Sequence, residues 1–206
     1  MRMFKRVAIV ATMAGLIAGP VAGTASASAS TATSSGQVWL KGGDTTVTTA
    51  PGIATALLGA SIVPVATLPG TEGAEIGSGG VQVKFTFPVT GGWVNLKKLT
   101  GTISHSGGIL FADVPAGKQI AVSNFVISVH QGSLSAEVNG SARTRVPLLR
   151  LSLAHATIHA GRHSVQVSGI VLTLTSTAAS ALDATFGTTL FKPGLELGTA
   201  STVLRF

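Results

Sequence analysis

Val81-Gln82-Val83-Lys84-Phe85-Thr86-Phe87 is the stretch whose reading decides the fold. Successive side chains of an extended chain point to opposite faces, so Val81, Val83, Phe85 and Phe87 share one side and Gln82, Lys84 and Thr86 the other. One face is apolar and the other wet, as in an antiparallel sheet packed on a core. Outward from it, short β-branched runs repeat the pattern: Leu99 to His105, Ile109 to Asp113, Gln119 to Val129, Ser133 to Val138, Val146 to His159 and His163 to Thr175. Thr90-Gly91-Gly92, Ser106-Gly107-Gly108, Pro115-Ala116-Gly117-Lys118, Gln131-Gly132, Asn139-Gly140 and Ala160-Gly161-Arg162 separate them. Each supplies glycine or asparagine for a positive φ, or proline for a fixed one. The expected fold is mainly β: an antiparallel β-sandwich whose neighbouring strands are joined as hairpins.

Two segments break the period of two. Ala50 to Gly59 (APGIATALLG) has proline near its first helical position and glycine at its end, and Ser176 to Gly187 (STAASALDATFG) has hydroxyl caps before alanine-rich spacing. Both are predicted to be short helices.

The N-terminal end reads as an address. Arg2, Lys5 and Arg6 precede the apolar run Val7 to Ile17, and Ala22-Gly23-Thr24-Ala25-Ser26-Ala27-Ser28-Ala29 then offers small-x-small cleavage sites. That order predicts a secretory signal peptide over residues 1–29, since the run falls short of the ~20 residues of a membrane span. Residues 30–36 (STATSSG) are too polar and small to bury apolar area and read as a flexible leader, leaving residues 37–206 as a single domain. The product is expected outside the cytoplasm, with no membrane span after cleavage.

Three of the 14 basic residues and none of the seven acidic ones lie in the leader, so its removal takes the formal charge from +7 to +4. The remaining cations are scattered without aromatic interleaving, which argues against nucleic acid. A weak attraction to an anionic cell envelope is what that charge allows. The chain has no cysteine, which removes disulfides, thiolate metal sites and cysteine nucleophiles together. Catalytic signatures are missing as well: there is no Gly-x-Ser-x-Gly elbow, no His-Glu-x-x-His and no phosphate-binding loop. A secreted hydrolase assembled from distant Ser, His and Asp residues is the weakest of the functional readings.

Few residues are candidates for binding. Trp93, just after a glycine pair, and Trp39 are flat surfaces on which a small apolar ligand or a sugar can stack, although indoles as commonly fill a core edge. His155, His159 and His163 recur every four residues, but the alternation around them favours a hairpin over a helix. Its loop would set His159 opposite His163, with His155 two pleats away on the same face. Such a group could hold a metal; an ordinary polar strand face is the preferred account. His105 ends a strand before Ser106-Gly107-Gly108, where a turn histidine bonded to backbone is the plain alternative to a ligand.

Phe87-Pro88-Val89-Thr90-Gly91-Gly92, Leu99-Thr100-Gly101-Thr102-Ile103-Ser104-His105-Ser106-Gly107-Gly108-Ile109-Leu110 and the ending Leu172-Thr173-Leu174-Thr175, Ala178-Ala179, Ala181-Leu182, Phe186-Gly187, Phe191-Lys192-Pro193-Gly194 resemble, over roughly residues 81–206, the HtaA-type domain. That domain occurs in secreted and surface proteins of Gram-positive bacteria, some of which bind haem. The resemblance implies a non-catalytic binding or structural module, and a haem carrier as the alternative. In the haem-binding members a tyrosine near the domain start ligates the iron, and a histidine after the Gly-Thr strand supports it. His105 stands where that histidine is expected. The chain contains no tyrosine, so a haem carrier of this sequence would have to use His105 itself.

Overall fold

The computed structural model describes residues 36–77 and 80–206. The leader expected over residues 1–29, and residues 30–35, lie outside the described residues. In chain order the elements begin with β1 (Gln37–Trp39), β2 (Gly42–Thr49), α1 (Ile53–Gly59), β3 (Ile62–Thr67), β4 (Thr71–Gly77), β5 (Gly80–Asn95), β6 (Thr100–His105) and β7 (Gly108–Asp113). They continue with β8 (Lys118–Ser128), β9 (Ser133–Val138), β10 (Ser141–Ser152), β11 (Thr157–Ala160), β12 (Ser164–Leu174), α2 (Ser176–Phe186) and β13 (Glu196–Arg205).

The chain is mainly β with two short helices, and every pairing is antiparallel, as its alternation predicts. The sheet does not form the expected two-layer sandwich. β5, β2, β13, β12, β10, β9 and β8 pair in that order, and β6 pairs with both β8 and β5, so eight strands close into a barrel. Alternation cannot separate the two outcomes, because each puts one face on the core. What curls this sheet is irregularity in the ladders: register shifts at Val89/Gly91, Ser123/Val126 and Val167/Ile170 bend the strands they interrupt. The Thr90-Gly91-Gly92 turn is likewise absent, since β5 runs straight through it. At Gly92 φ is +121°, and a Cβ there would collide with the Thr102 carbonyl across the β5–β6 ladder, so glycine serves a close backbone approach instead.

β6 closes only part of the ring. It pairs with Val89–Asn95 of β5 and Val126–Ser128 of β8, while β4 takes the other half of β5 and β7 the other half of β8. β3 extends β7, β1 lies beside β5, and β11 beside β12. The core fills the barrel: Phe85, Phe87, Val89, Ile103, Val122, Phe125, Leu172 and Leu204 are all buried, with Phe87 and Phe125 edge to face at a centroid distance of 4.9 Å. Leu57 of α1 and Ala178, Ala179, Leu182 and Phe186 of α2 join the same core. Both helices therefore belong to one end of the lumen.

Candidate functional site

Four of the six buried polar residues, Thr45, Thr49, His105 and Thr202, lie on three strands; Asn95 and Asp113 end β5 and β7. On β2 the inward positions are Thr45, Val47 and Thr49; on β6 they are Gly101, Ile103 and His105; on β13, Ala200, Thr202 and Leu204. Thr45 and Thr202 are registered cross-strand partners. His105, the last residue of the closing strand, pairs with Val89 and is only 5% exposed.

These three side chains form one hydrogen-bonded row across the lumen. His105 Nε2 and Thr45 Oγ1 are 2.8 Å apart, Thr45 Oγ1 and Thr202 Oγ1 2.7 Å, and Thr202 Oγ1 donates to the Asp44 carbonyl at 3.4 Å. Each hydroxyl of the row can donate or accept, so the imidazole tautomer sets which way the Thr45–Thr202 hydrogens run. Burial holds the imidazole neutral, pushing its pKa from 6.5 down to about 4, with the Phe125 backbone opposing the shift. Nδ1 is the only buried side-chain nitrogen or oxygen without a hydrogen-bond partner of good geometry among the described residues.

Two apolar cavities flank this row. The one on the helix side, about 130 Å³, is lined by Val47, Ile53 and Leu57, by Ile109 and Phe111 of β7, by Leu182 of α2, and by Thr45 and His105. The other, about 120 Å³, is lined by Val94, Leu96, Leu99, Ile103, Leu153 and Ile158, with Thr202 among its walls. On the helix side, α2 is held down by Thr175, whose hydroxyl accepts from the Ala178 amide at 3.2 Å and donates to the Pro147 carbonyl of β10 at 2.7 Å.

His105 is thus placed inside the barrel rather than on an exposed turn, facing the helix-side cavity. Trp93 is half-buried and Trp39 is exposed; the two are cross-strand partners on β5 and β1, and neither lines either of these two cavities. The histidine pair does not face across its hairpin. His159 is opposite Gln166, and Ala160 opposite Val165, because the Gly161 amide bonds to the Ser164 carbonyl and leaves His163 in the tip. The expected single strand from Val146 to His159 breaks at Leu153–Ala156, which puts His155 in the break. All three are exposed, and no group of three or more His, Cys, Asp or Glu that could hold a metal stands together among the described residues. Thr45 and Thr202 were not marked by sequence. The available sign was the Thr-Val-Thr alternation of β2, which a solvent-facing strand would share.

The HtaA (Htaa) family model matches residues 66–188. The fold is similar to that of the C-terminal domain of HtaA from Corynebacterium glutamicum, at 17% identity over 80% of this chain and 98% of that one, with a TM-score of 0.53. The N-terminal domain of the same protein (14% identity, 79% and 97% covered, TM-score 0.43) and the heme binding protein HtaB of that organism (10% identity, 82% and 96% covered, TM-score 0.39) are more remote. No curated protein matches the sequence.

Proposed function

Because this chain belongs to the HtaA family, we propose that it is an exported, non-catalytic binding module that takes a small, largely apolar molecule carrying one O–H or N–H group. The observation that carries this reading is an apolar cavity walled in part by His105, whose ring nitrogen Nδ1 has no hydrogen-bond partner of good geometry. An unsatisfied buried polar group costs free energy that a hydrogen bond from a ligand would recover, while the surrounding Ile, Leu and Phe side chains supply the rest of the affinity. At about 130 Å³ the space matches the roughly 150 Å³ of cavities that accept benzene. Export rests on the charged, apolar and small-residue order of residues 1–29.

Haem, the ligand named for HtaB, fits these residues poorly. The chain has no tyrosine, the hydroxyl that His105 supports is that of Thr45, and Nε2 is already spent on it. The cavity is also below the roughly 300–1,000 Å³ usual for larger ligands. Membership of a family some of whose members bind haem, together with the unpartnered Nδ1, is what favours a haem carrier.

Thermal unfolding with phenol and with toluene tests the proposal. Phenol should raise Tm by several degrees and toluene by less, and His105→Leu should abolish the difference. If neither molecule moves Tm, the reading fails. A stoichiometric Soret band on haemin addition that disappears in His105→Ala would make haem the ligand instead.

A further inference from the structure

The cavity away from the helices opens among side chains that the lumen does not need. Leu96, Leu99, Leu153 and Ile158 line it, yet each is between 39% and 51% exposed. Trp39, 67% exposed, stands nearby on β1, registered with Trp93 two residues before Asn95. Exposed apolar groups scattered singly are ordinary, whereas a cluster around one opening marks a contact surface.

Charge at this end is one-sided. Lys97 and Lys98 sit between Leu96 and Leu99 in the turn that Asn95 Oδ1 holds by accepting from both lysine amides. Lys41 is joined to Arg205 by its backbone amide, and Arg162 is in the β11–β12 tip beside the chain's last residues. All five cations are exposed. Of the seven acids only Asp44 is on a strand end here. Glu72 and Glu75 are on β4, Asp113 and Glu137 at the opposite ends of β7 and β9, Asp183 on α2 and Glu196 at the start of β13.

We infer that this end of the barrel docks on an anionic phospholipid bilayer: the leucines and Ile158 enter the interface, the lysines and arginines meet lipid phosphates, and the paired indoles lie at headgroup depth. Charge complementarity selects a lipid surface over a neutral apolar partner, because a protein groove would leave five unpaired cations around an apolar opening. The inference is independent of the lumen ligand, from which the Thr45–Thr202 layer separates this cavity.

Both tryptophans of the chain belong to this end, so their fluorescence reads it apart from the apolar N-terminal segment. The full chain is mixed with vesicles of phosphatidylcholine alone and of phosphatidylcholine containing phosphatidylglycerol. The expected result is a blue shift on the anionic vesicles only, reversed by salt. Lys97→Gln/Lys98→Gln should weaken partitioning about thirtyfold, and Leu96→Ser/Ile158→Ser should remove the blue shift while far-UV circular dichroism stays unchanged. No shift on anionic vesicles, an equal shift on neutral ones, or an undiminished shift in either folded variant overturns the proposal. If one variant fails to fold, the other carries the test.

Discussion

His105 couples proton uptake to unfolding. In the folded barrel the ring stays neutral until about pH 4, while in the unfolded chain it takes a proton near 6.5. As pH falls through that window the unfolded state binds the extra proton, so stability is whole above 6.5 and declines toward 4. The full loss is about 3 kcal/mol, from the displacement of the pKa at 1.36 kcal/mol per unit. Urea unfolding of the wild type and of His105→Gln across this range should therefore converge in acid, and parallel curves would show that the ring is not the cause. Carboxylate effects are common to both proteins and cancel. The histidine itself was marked only through the resemblance to the HtaA-type domain, since its place before Ser106-Gly107-Gly108 reads as a turn. Its partners were not, because Thr45 and Thr202 lie 157 residues apart and meet only once β2 and β13 pair.

At the scale of elements, local chemistry was a good guide wherever a neighbour in sequence sets the outcome. Ser133–Val138 is a strand over the expected residues, and α2 begins at Ser176 because Thr175 caps it. Two of the failures involve long-range pairing. Gly91 and Gly92 resemble a turn but serve the β5–β6 crossing, and the run from Val146 to His159 reads as continuous yet divides where the chain leaves β9 for β12 alone. α1 begins later than expected, at Ile53, after Gly52 with φ +83° and without any side-chain cap. The two helices should thus differ in their dependence on caps. Thr175→Ala removes both the cap of α2 and its tie to Pro147, and should cost roughly 1–2 kcal/mol in denaturant unfolding while lowering phenol affinity, since Leu182 is a wall of that cavity. A loss of stability with phenol binding intact would place the ligand away from α2.

For the whole molecule, closure is what the sequence could not announce. Every strand of a sandwich and of a barrel carries the same alternation, and the difference rests on one six-residue strand, β6, finding β5 on one side and β8 on the other. Without cysteines, that ring and its packed lumen have to hold the domain together. The eight ring strands each have at least two neighbours, whereas β1, β3, β4 and β11 have one and present an unpaired edge. Ile103 of β6 is 4% exposed, opposite Gly92 on one side and Ile127 on the other, so the closing strand is anchored in the core despite its length. Native-state hydrogen exchange separates this arrangement from an open sheet. In a closed ring, β6 amides should open only with global unfolding and be protected as strongly as those of β12 and β13, while β4 and β11 exchange by local fraying at much lower free energy. If β6 instead exchanged as fast as β4, the ring would be a transient contact between two sheets, and the sandwich first read from the alternation would describe the molecule better. Ile103→Ala sharpens the comparison: with a core truncation cost of roughly 2–5 kcal/mol, it should lower the protection of all eight ring strands together.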